Sequence, residues 1–296
     1  MTAAVGTLGV GALPGYTWPM LDAAACVGSH DLLLITLDTL RFDVAAGALA
    51  AGQTPVLGQL LADTPSGGWE RRHSPGSFTW AAHQAFFAGF LPTPARPGPH
   101  PRLFAMAFPG SETTGPGTAV FDAPNLIAGL RQAGYHTLCA GGVGFFNRQT
   151  PLGRVLPDLF DEDRWCPAFG VTDPDSTAHQ ITWLCERIAA RPERERVLCF
   201  LNVSALHQPN CHYLPGHTRD SAETQAAALA YVDTQLAPLF EVLRRRAPLL
   251  AVICSDHGTA YGEDGYEGHR LGHPVVWEVP YAELLLPRLQ TRAQTP

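Results

Sequence analysis

The chain has 296 residues, an apolar fraction of 46% and a formal net charge of −7, with 26 prolines and 29 glycines along its length. This length is enough for one large α/β domain, and a mildly acidic chain without a basic stripe gives no support to nucleic-acid binding. We expect no signal peptide and no membrane association, since no apolar run has the length of a span. The seven scattered cysteines, without a Cys-x-x-Cys pair, are typical of reduced thiols in a cytoplasmic protein.

The predicted elements alternate between strands and helices, which favours a mostly parallel sheet with helices on both faces. An N-terminal extension covers residues 1–30, with helical character at 18–26, and one α/β domain covers residues 31–290. Strands are predicted at 32–37, 69–75 (an edge strand or loop), 135–140, 197–203, within 249–258 and within 275–286. Helices are predicted at 54–61, 81–87, 122–134, 175–191 and 221–246. The proline-rich stretch 94–118 predicts a long surface loop that shapes the substrate site.

Two strand-like segments end in polar residues. The segment 31–43 (DLLLITLDTLRFD) has an apolar run typical of a strand buried on both faces, and this run stops at Asp38. The segment 249–258 (LLAVICSDHG) repeats the design and ends in Asp256 and His257. Each carboxylate alone could equally well cap a turn. For the pair we favour a site, because ligands of open α/β sheets bind outside the carboxyl ends of the strands.

Asp38, Asp256 and His257 offer two oxygens and one nitrogen, a donor set suited to Mn²⁺, Zn²⁺ or Ca²⁺. Thr79, near the start of a predicted helix, is the candidate hydroxyl nucleophile, because metal coordination lowers a hydroxyl pKa and a helix N-terminus attracts anions. Ser77 is the competing hydroxyl. Thr79 could also be a simple helix N-cap.

These segments, with an H-x-P segment, resemble the sulfatase-like hydrolases of the alkaline phosphatase superfamily over residues 31–287. The matching residues are DTLRFD at 38–43, Thr79 followed ten residues later by GFLP at 89–92, HQP at 207–209, SDHG at 255–258, GEDG at 262–265 and GH at 268–269. The resemblance implies an alkaline-phosphatase-like three-layer sandwich.

The resemblance also implies residue roles. Thr79 would be the nucleophile and would bind the metal together with Asp38, Asp256 and His257. His207 and His269 would contact the transferred group and protonate the leaving group, or bind a second metal. Arg41, His83 and Asn202 are assigned to substrate binding. For His212, His217 and His273 we favour structural roles.

Three departures from the family pattern narrow these expectations. Thr79 replaces the Cys or Ser that becomes formylglycine, which argues against a sulfatase of that type and resembles the phosphodiesterases and phosphotransferases of the superfamily. Thr39 replaces a second Asp, which favours Mn²⁺ or Zn²⁺ over Ca²⁺. Asn202 lies near the position of an Asp in the two-metal branch, which favours one ion over two.

The sequence therefore predicts a metal-dependent hydrolase or transferase that acts on a small-molecule phosphate ester, with a sulfate ester as the less favoured substrate. The alternative is a catalytically degenerate relative that binds a ligand or partner, which Ala81, Ala82 and Asn202 leave open. A phosphomutase is a third possibility and requires two metals.

Overall fold

The computed structural model describes residues 21–90, 102–110, 118–120 and 123–290. The strands are β1 Asp31–Leu37, β2 Glu70–His73, β3 Arg102–Phe104, β4 Thr118–Val120, β5 His136–Ala140, β6 Glu162–Arg164, β7 Val197–Val203, β8 Leu249–Cys254, β9 Ala260–Tyr261, β10 Glu267–Gly268 and β11 Glu278–Leu286. The α-helices are α1 Ala23–Cys26, α2 Phe42–Ala50, α3 Pro55–Ala62, α4 Thr79–Ala88, α5 Leu126–Gln132, α6 Leu152–Val155, α7 Ser176–Ala189, α8 Ala222–Arg246 and α9 Pro274–Trp277.

Seven strands form the main sheet, in the order β2-β11-β8-β1-β7-β5-β6. The five strands β8, β1, β7, β5 and β6 are parallel to one another. On the other side of β8, β11 pairs antiparallel with β8, and β2 pairs antiparallel with β11. β1 lies in the middle, between β8 and β7, so that Thr36 is level with both Cys254 and Asn202. The predicted mostly parallel sheet is thus confirmed.

Both faces of the sheet are covered by helices because the central strands are apolar on both sides. Leu33, Ile35 and Leu37 of β1 belong to a core shared with α2, α3, α7 and α8. Leu32 points to the other core, which contains Trp80 and residues of α5. The three-layer α/β sandwich that the family resemblance implies is therefore the observed architecture.

Several bounds differ from the predictions. α4 begins at Thr79 and its N-cap is Phe78, so Thr79 is the first helical residue and not a cap. α5 begins at Leu126 instead of residue 122, because the Asn125 side chain accepts a hydrogen bond from the backbone of residue 128 and so fixes the start. α2 was not predicted. The C-terminal strand is nine residues long and antiparallel to β8.

Two predictions fall partly outside the described residues. Residues 1–20 of the proposed N-terminal extension and most of the proline-rich stretch 94–118 lie there. Within that stretch, β3 pairs in parallel with β4, so this part is not simply a loop as predicted. Among the described residues, no single helix has the length and apolar character to cross a membrane, although α2 and α3 together pass that test as a bent pair, by length and composition only.

Candidate active site

Asp38, Asp256 and His257 converge at the carboxyl edge of the sheet. Asp38 follows β1 directly, and the other two follow the neighbouring parallel strand β8 after one serine. All three side chains are fully buried, and one ligand atom from each lies within 4.8 Å of the others. Among the described residues, this is the one group of three or more His, Cys, Asp or Glu side chains placed closely enough to hold a metal ion.

The hydrogen bonds of these three residues leave one oxygen of each aspartate without a partner and direct one nitrogen of His257 into the cluster. Asp256 Oδ1 accepts from the backbone N–H of Thr39 and of His257, while Oδ2 has no hydrogen-bond partner. Asp38 Oδ2 accepts from Asn202, while Oδ1 has no partner. His257 Nδ1 lies 2.9 Å from the carbonyl oxygen of residue 258, so Nδ1 carries the proton and Nε2 has the lone pair. Burying a carboxylate oxygen without a hydrogen-bond donor costs free energy, and a divalent cation bound by Asp38 Oδ1, Asp256 Oδ2 and His257 Nε2 would offset that cost.

Thr79 places its hydroxyl beside this cluster. Its Oγ1 lies 3.5 Å from Asp38 Oδ2 and 3.4 Å from His257 Nε2, and the residue is 3% exposed. Because α4 begins at Thr79, the positive end of a ten-residue helix lies at the hydroxyl. The side chain therefore points at the cluster and not into the apolar interior.

His207 and His269 form the outer side of the site. The ring centroids of His257 and His269 are 4.7 Å apart, and those of His207 and His269 are 5.6 Å apart. His207 Nδ1 lies 2.6 Å from the carbonyl oxygen of Gln208, which leaves Nε2 available. Both residues are partly exposed, in contrast to His257. The rings of His207, His269 and His257 thus form a row between solvent and the buried carboxylates.

Burial dominates the electrostatics. It raises the pKa of Asp38 to about 6, with the negative charge of Asp256 adding to the effect, and it raises the pKa of Asp256 to about 7. Burial also lowers the pKa of His257. Burial and the neighbouring positive charges of His257 and His207 lower the pKa of His269 to about 3. A cation would reverse the effect on the two aspartates, since it stabilises their ionised forms.

Asn202 is part of the frame around Asp38. Its Nδ2 donates to Asp38 Oδ2 and to Thr36 Oγ1, both at 3.2 Å, and its Oδ1 accepts from the backbone N–H of Gly142 and of Val143. The residue is fully buried and its polar atoms are all engaged. It therefore orients one carboxylate of the site and has no atom left for a substrate.

Two other residues assigned to substrate binding are also engaged elsewhere. Arg41 pairs with Asp43 through two nitrogens, at 2.9 and 2.6 Å, and with Glu263 through the third. His83 is fully buried, with Nδ1 2.7 Å from the Thr79 carbonyl oxygen and Nε2 3.1 Å from Thr36 Oγ1. In this structure both side chains position neighbours of the site and neither offers a free donor to a substrate.

Thr39 and two residues that the sequence did not single out complete the frame. Thr39 has φ +62°, a strained conformation for a β-branched residue, and its hydroxyl donates to the carbonyl oxygen of Leu206 beside His207. Gln225 donates to the carbonyl oxygen of Thr39, and Thr36 bonds both His83 and Asn202. Two sequence features could have identified these residues: Gln225 lies among apolar residues of the predicted helix, and Thr36 lies within the apolar run of β1.

The fold and this arrangement define the class of the protein as an alkaline-phosphatase-like α/β domain with a buried carboxylate–histidine cluster beside a hydroxyl. The chain belongs to the sulfatase family, because the family profile described as Sulfatase matches residues 31–282. The family resemblance inferred from the sequence motifs is thereby confirmed. No curated protein sequence shows significant similarity to the chain.

Solved structures share the fold at low identity. The soluble domain of lipooligosaccharide phosphoethanolamine transferase A from Neisseria meningitidis is 15% identical with a TM-score of 0.59, covering 87% of this chain and 77% of its own. The C-terminal periplasmic domain of EptC from Escherichia coli, in complex with Zn, is 14% identical with a TM-score of 0.58, covering 88% and 74%. The lipoteichoic acid synthase LtaP from Listeria monocytogenes is 15% identical with a TM-score of 0.56, covering 90% and 67%. These likenesses show the fold alone.

Proposed function

We propose that this protein is a metal-dependent phosphate-ester hydrolase or transferase whose nucleophile is Thr79. The observation that carries the proposal is the pair of buried carboxylate oxygens without hydrogen-bond donors, Asp38 Oδ1 and Asp256 Oδ2. The Thr79 hydroxyl lies beside them, 3.5 Å from the other oxygen of Asp38 and 3.4 Å from His257 Nε2. If these carboxylates only capped turns, their buried oxygens would be hydrogen-bonded.

The metal would be held by Asp38, Asp256 and His257, and we propose Mn²⁺ or Zn²⁺, with one ion rather than two. Such an ion, when bound, lowers the pKa of a nearby hydroxyl and neutralises charge on the non-bridging oxygens of a phosphate. Asn202 and the carbonyl oxygen of residue 258 hold two of the ligands in the required orientation.

The phosphoryl transfer would take place in two steps. In the first, the bond from Thr79 Oγ1 to phosphorus forms and the bond from phosphorus to the leaving oxygen breaks. The hydroxyl proton, whose loss a bound ion would favour by lowering the hydroxyl pKa, passes to solvent water, and the leaving oxygen takes a proton from His207. In the second, water or an acceptor hydroxyl attacks the phosphothreonine and gives its proton to His207, while the released Thr79 oxygen takes a proton from solvent water.

Three considerations favour phosphate over sulfate. Thr79 cannot become formylglycine, and a hydroxyl suffices for in-line attack on phosphorus. The structural relatives also include phosphoethanolamine transferases and a lipoteichoic acid synthase. We propose a small-molecule ester as the substrate. The cytoplasmic location stays a prediction, and the likeness to periplasmic domains does not support it.

The test combines metal content with turnover. We expect the purified protein to bind one Mn²⁺ or Zn²⁺ and to hydrolyse a chromogenic aryl phosphodiester, and Asp256→Ala to lose both properties. Asp63→Ala, which removes an exposed carboxylate outside the cluster, is the matched control and should retain both. Full activity in Asp256→Ala would reject the site. Metal binding without turnover across phosphate and sulfate esters would favour the ligand-binding alternative.

A further inference from the structure

Arg270 is a cation beside the candidate site. It follows His269 directly, and its backbone N–H donates to the carbonyl oxygen of Ser77 at 2.8 Å. Among the described residues no carboxylate pairs with its guanidinium, whereas the guanidinium of Arg41 pairs with two acids. Arg270 also has φ +68°, a backbone conformation that is unfavourable for a residue with a side chain.

An aromatic surface lies next to this cation. The guanidinium carbon of Arg270 is 5.4 Å from the ring centroid of Phe78, and that ring is 6.3 Å from the ring of Phe145. Both rings are only partly buried. The Trp80 ring lies 6.2 Å from Phe145 and is 3% exposed, and its buried indole N–H has no acceptor within the described part of the chain. We call Arg270, Phe78 and Phe145 the rim subsite.

The rim subsite adjoins the reacting groups. Phe78 and Trp80 flank Thr79 in the sequence, and the ring of His269, next to Arg270, lies 4.7 Å from the ring of His257. A group attached to a phosphate at Thr79 would therefore extend over the rim.

We propose that the rim subsite binds the leaving group of the substrate, and that this group has an aryl body and a carboxylate or similar anion. This inference rests on the proposed function. A guanidinium with unpaired donors recognises a planar anion through two parallel hydrogen bonds, and half-open aromatic faces bind a flat apolar body. Arg270 fills the first role, and Phe78 and Phe145 fill the second.

The first experiment compares two esters that differ by one charge. We expect the wild-type protein to release phosphate from 4-carboxyphenyl phosphate with a higher kcat/KM than from 4-carbamoylphenyl phosphate. Arg270→Gln should lower kcat/KM for the carboxylate ester by roughly ten- to a hundredfold and for the carboxamide ester by less than about threefold. Arg270→Lys, which keeps the charge but not the planar guanidinium, should have a kcat/KM for the carboxylate ester between those of the wild-type protein and Arg270→Gln. Arg245→Gln removes an exposed arginine at the C-terminus of α8 and should change neither value.

The second experiment measures binding without turnover. In a Thr79→Ala background, isothermal titration calorimetry should show that Arg270→Gln weakens 4-carboxyphenyl phosphate selectively. Phe145→Ala should weaken both aryl esters severalfold and leave the Kd of inorganic phosphate unchanged. Equal effects of Arg270→Gln on both esters, or no effect on either, would overturn the subsite. Selective binding without turnover in the wild-type protein would support the subsite and overturn the proposed function, and turnover without selectivity would do the reverse.

Discussion

Without the proposed metal ion, the free energy of unfolding is expected to fall as the pH rises from about 4 to about 7. Burial raises the pKa of Asp38 to about 6 and that of Asp256 to about 7, from an ordinary value of 3.8. In this pH window the unfolded chain has already released protons that the folded chain still holds. Each rise in pH therefore favours unfolding, and the stabilisation present below about pH 4 is lost as the pH passes the folded values.

The size of the effect follows from the two shifts. One pKa unit corresponds to about 1.4 kcal/mol, so two carboxyl groups raised to about 6 and about 7 weaken the metal-free fold by on the order of several kcal/mol at neutral pH. A bound divalent ion keeps both carboxylates ionised in the folded state. The decline should then disappear, and the stabilisation by metal should grow with pH.

The assay is urea unfolding at several pH values, with a chelator and with excess Mn²⁺ or Zn²⁺. The control is the double variant Asp38→Asn and Asp256→Asn, which keeps the side-chain shapes but removes both titrating groups. Other groups contribute equally to both proteins, so the difference isolates the pair. We expect a decline in the metal-free wild-type protein that metal abolishes and that the double variant lacks. The same pH dependence in both proteins would refute the reasoning.

Further predictions concern residues that frame the site. His83→Leu removes two buried hydrogen bonds and should lower the free energy of unfolding by about 2 kcal/mol, measured in urea, and reduce turnover more than metal content. Asn202→Leu leaves two backbone N–H groups without an acceptor and should cost about 3 kcal/mol and weaken metal binding, measured by metal titration. Arg246→Met, at the amino ends of the parallel strands, weakens the pairing of buried Asp31 and should lower the free energy of unfolding by about 3 kcal/mol. Turnover per folded molecule should not change, and reduced turnover would contradict a purely structural role for Arg246.

The central strands were predictable because a strand buried on both faces has a continuous apolar run with a sharp polar end. The structure has β7 at 197–203 as predicted, and Asp38 and Asp256 come together because β1 and β8 are neighbours. α2 escaped prediction because Gly47 interrupts its nine residues and its N-cap, Arg41, makes no side-chain capping bond.

The roles of individual polar side chains were less predictable, since they depend on contacts between distant segments. Arg41 pairs with Glu263, which is 222 positions away, and His83 bonds to Thr36, 47 positions away. The family motif supplies the residue type at each position but not the direction of its side chain. Arg270 was overlooked for the same reason: its contact with Phe78 exists only in the folded chain.

The most direct test of the account is to trap the covalent intermediate. The metal-loaded protein is mixed with an aryl phosphate ester, quenched in acid during turnover, and digested for peptide mass spectrometry. The account predicts one added phosphoryl group on the peptide that contains Thr79, and none in Thr79→Ala. Turnover with the phosphoryl group on another residue, or undiminished turnover in Thr79→Ala, would contradict it.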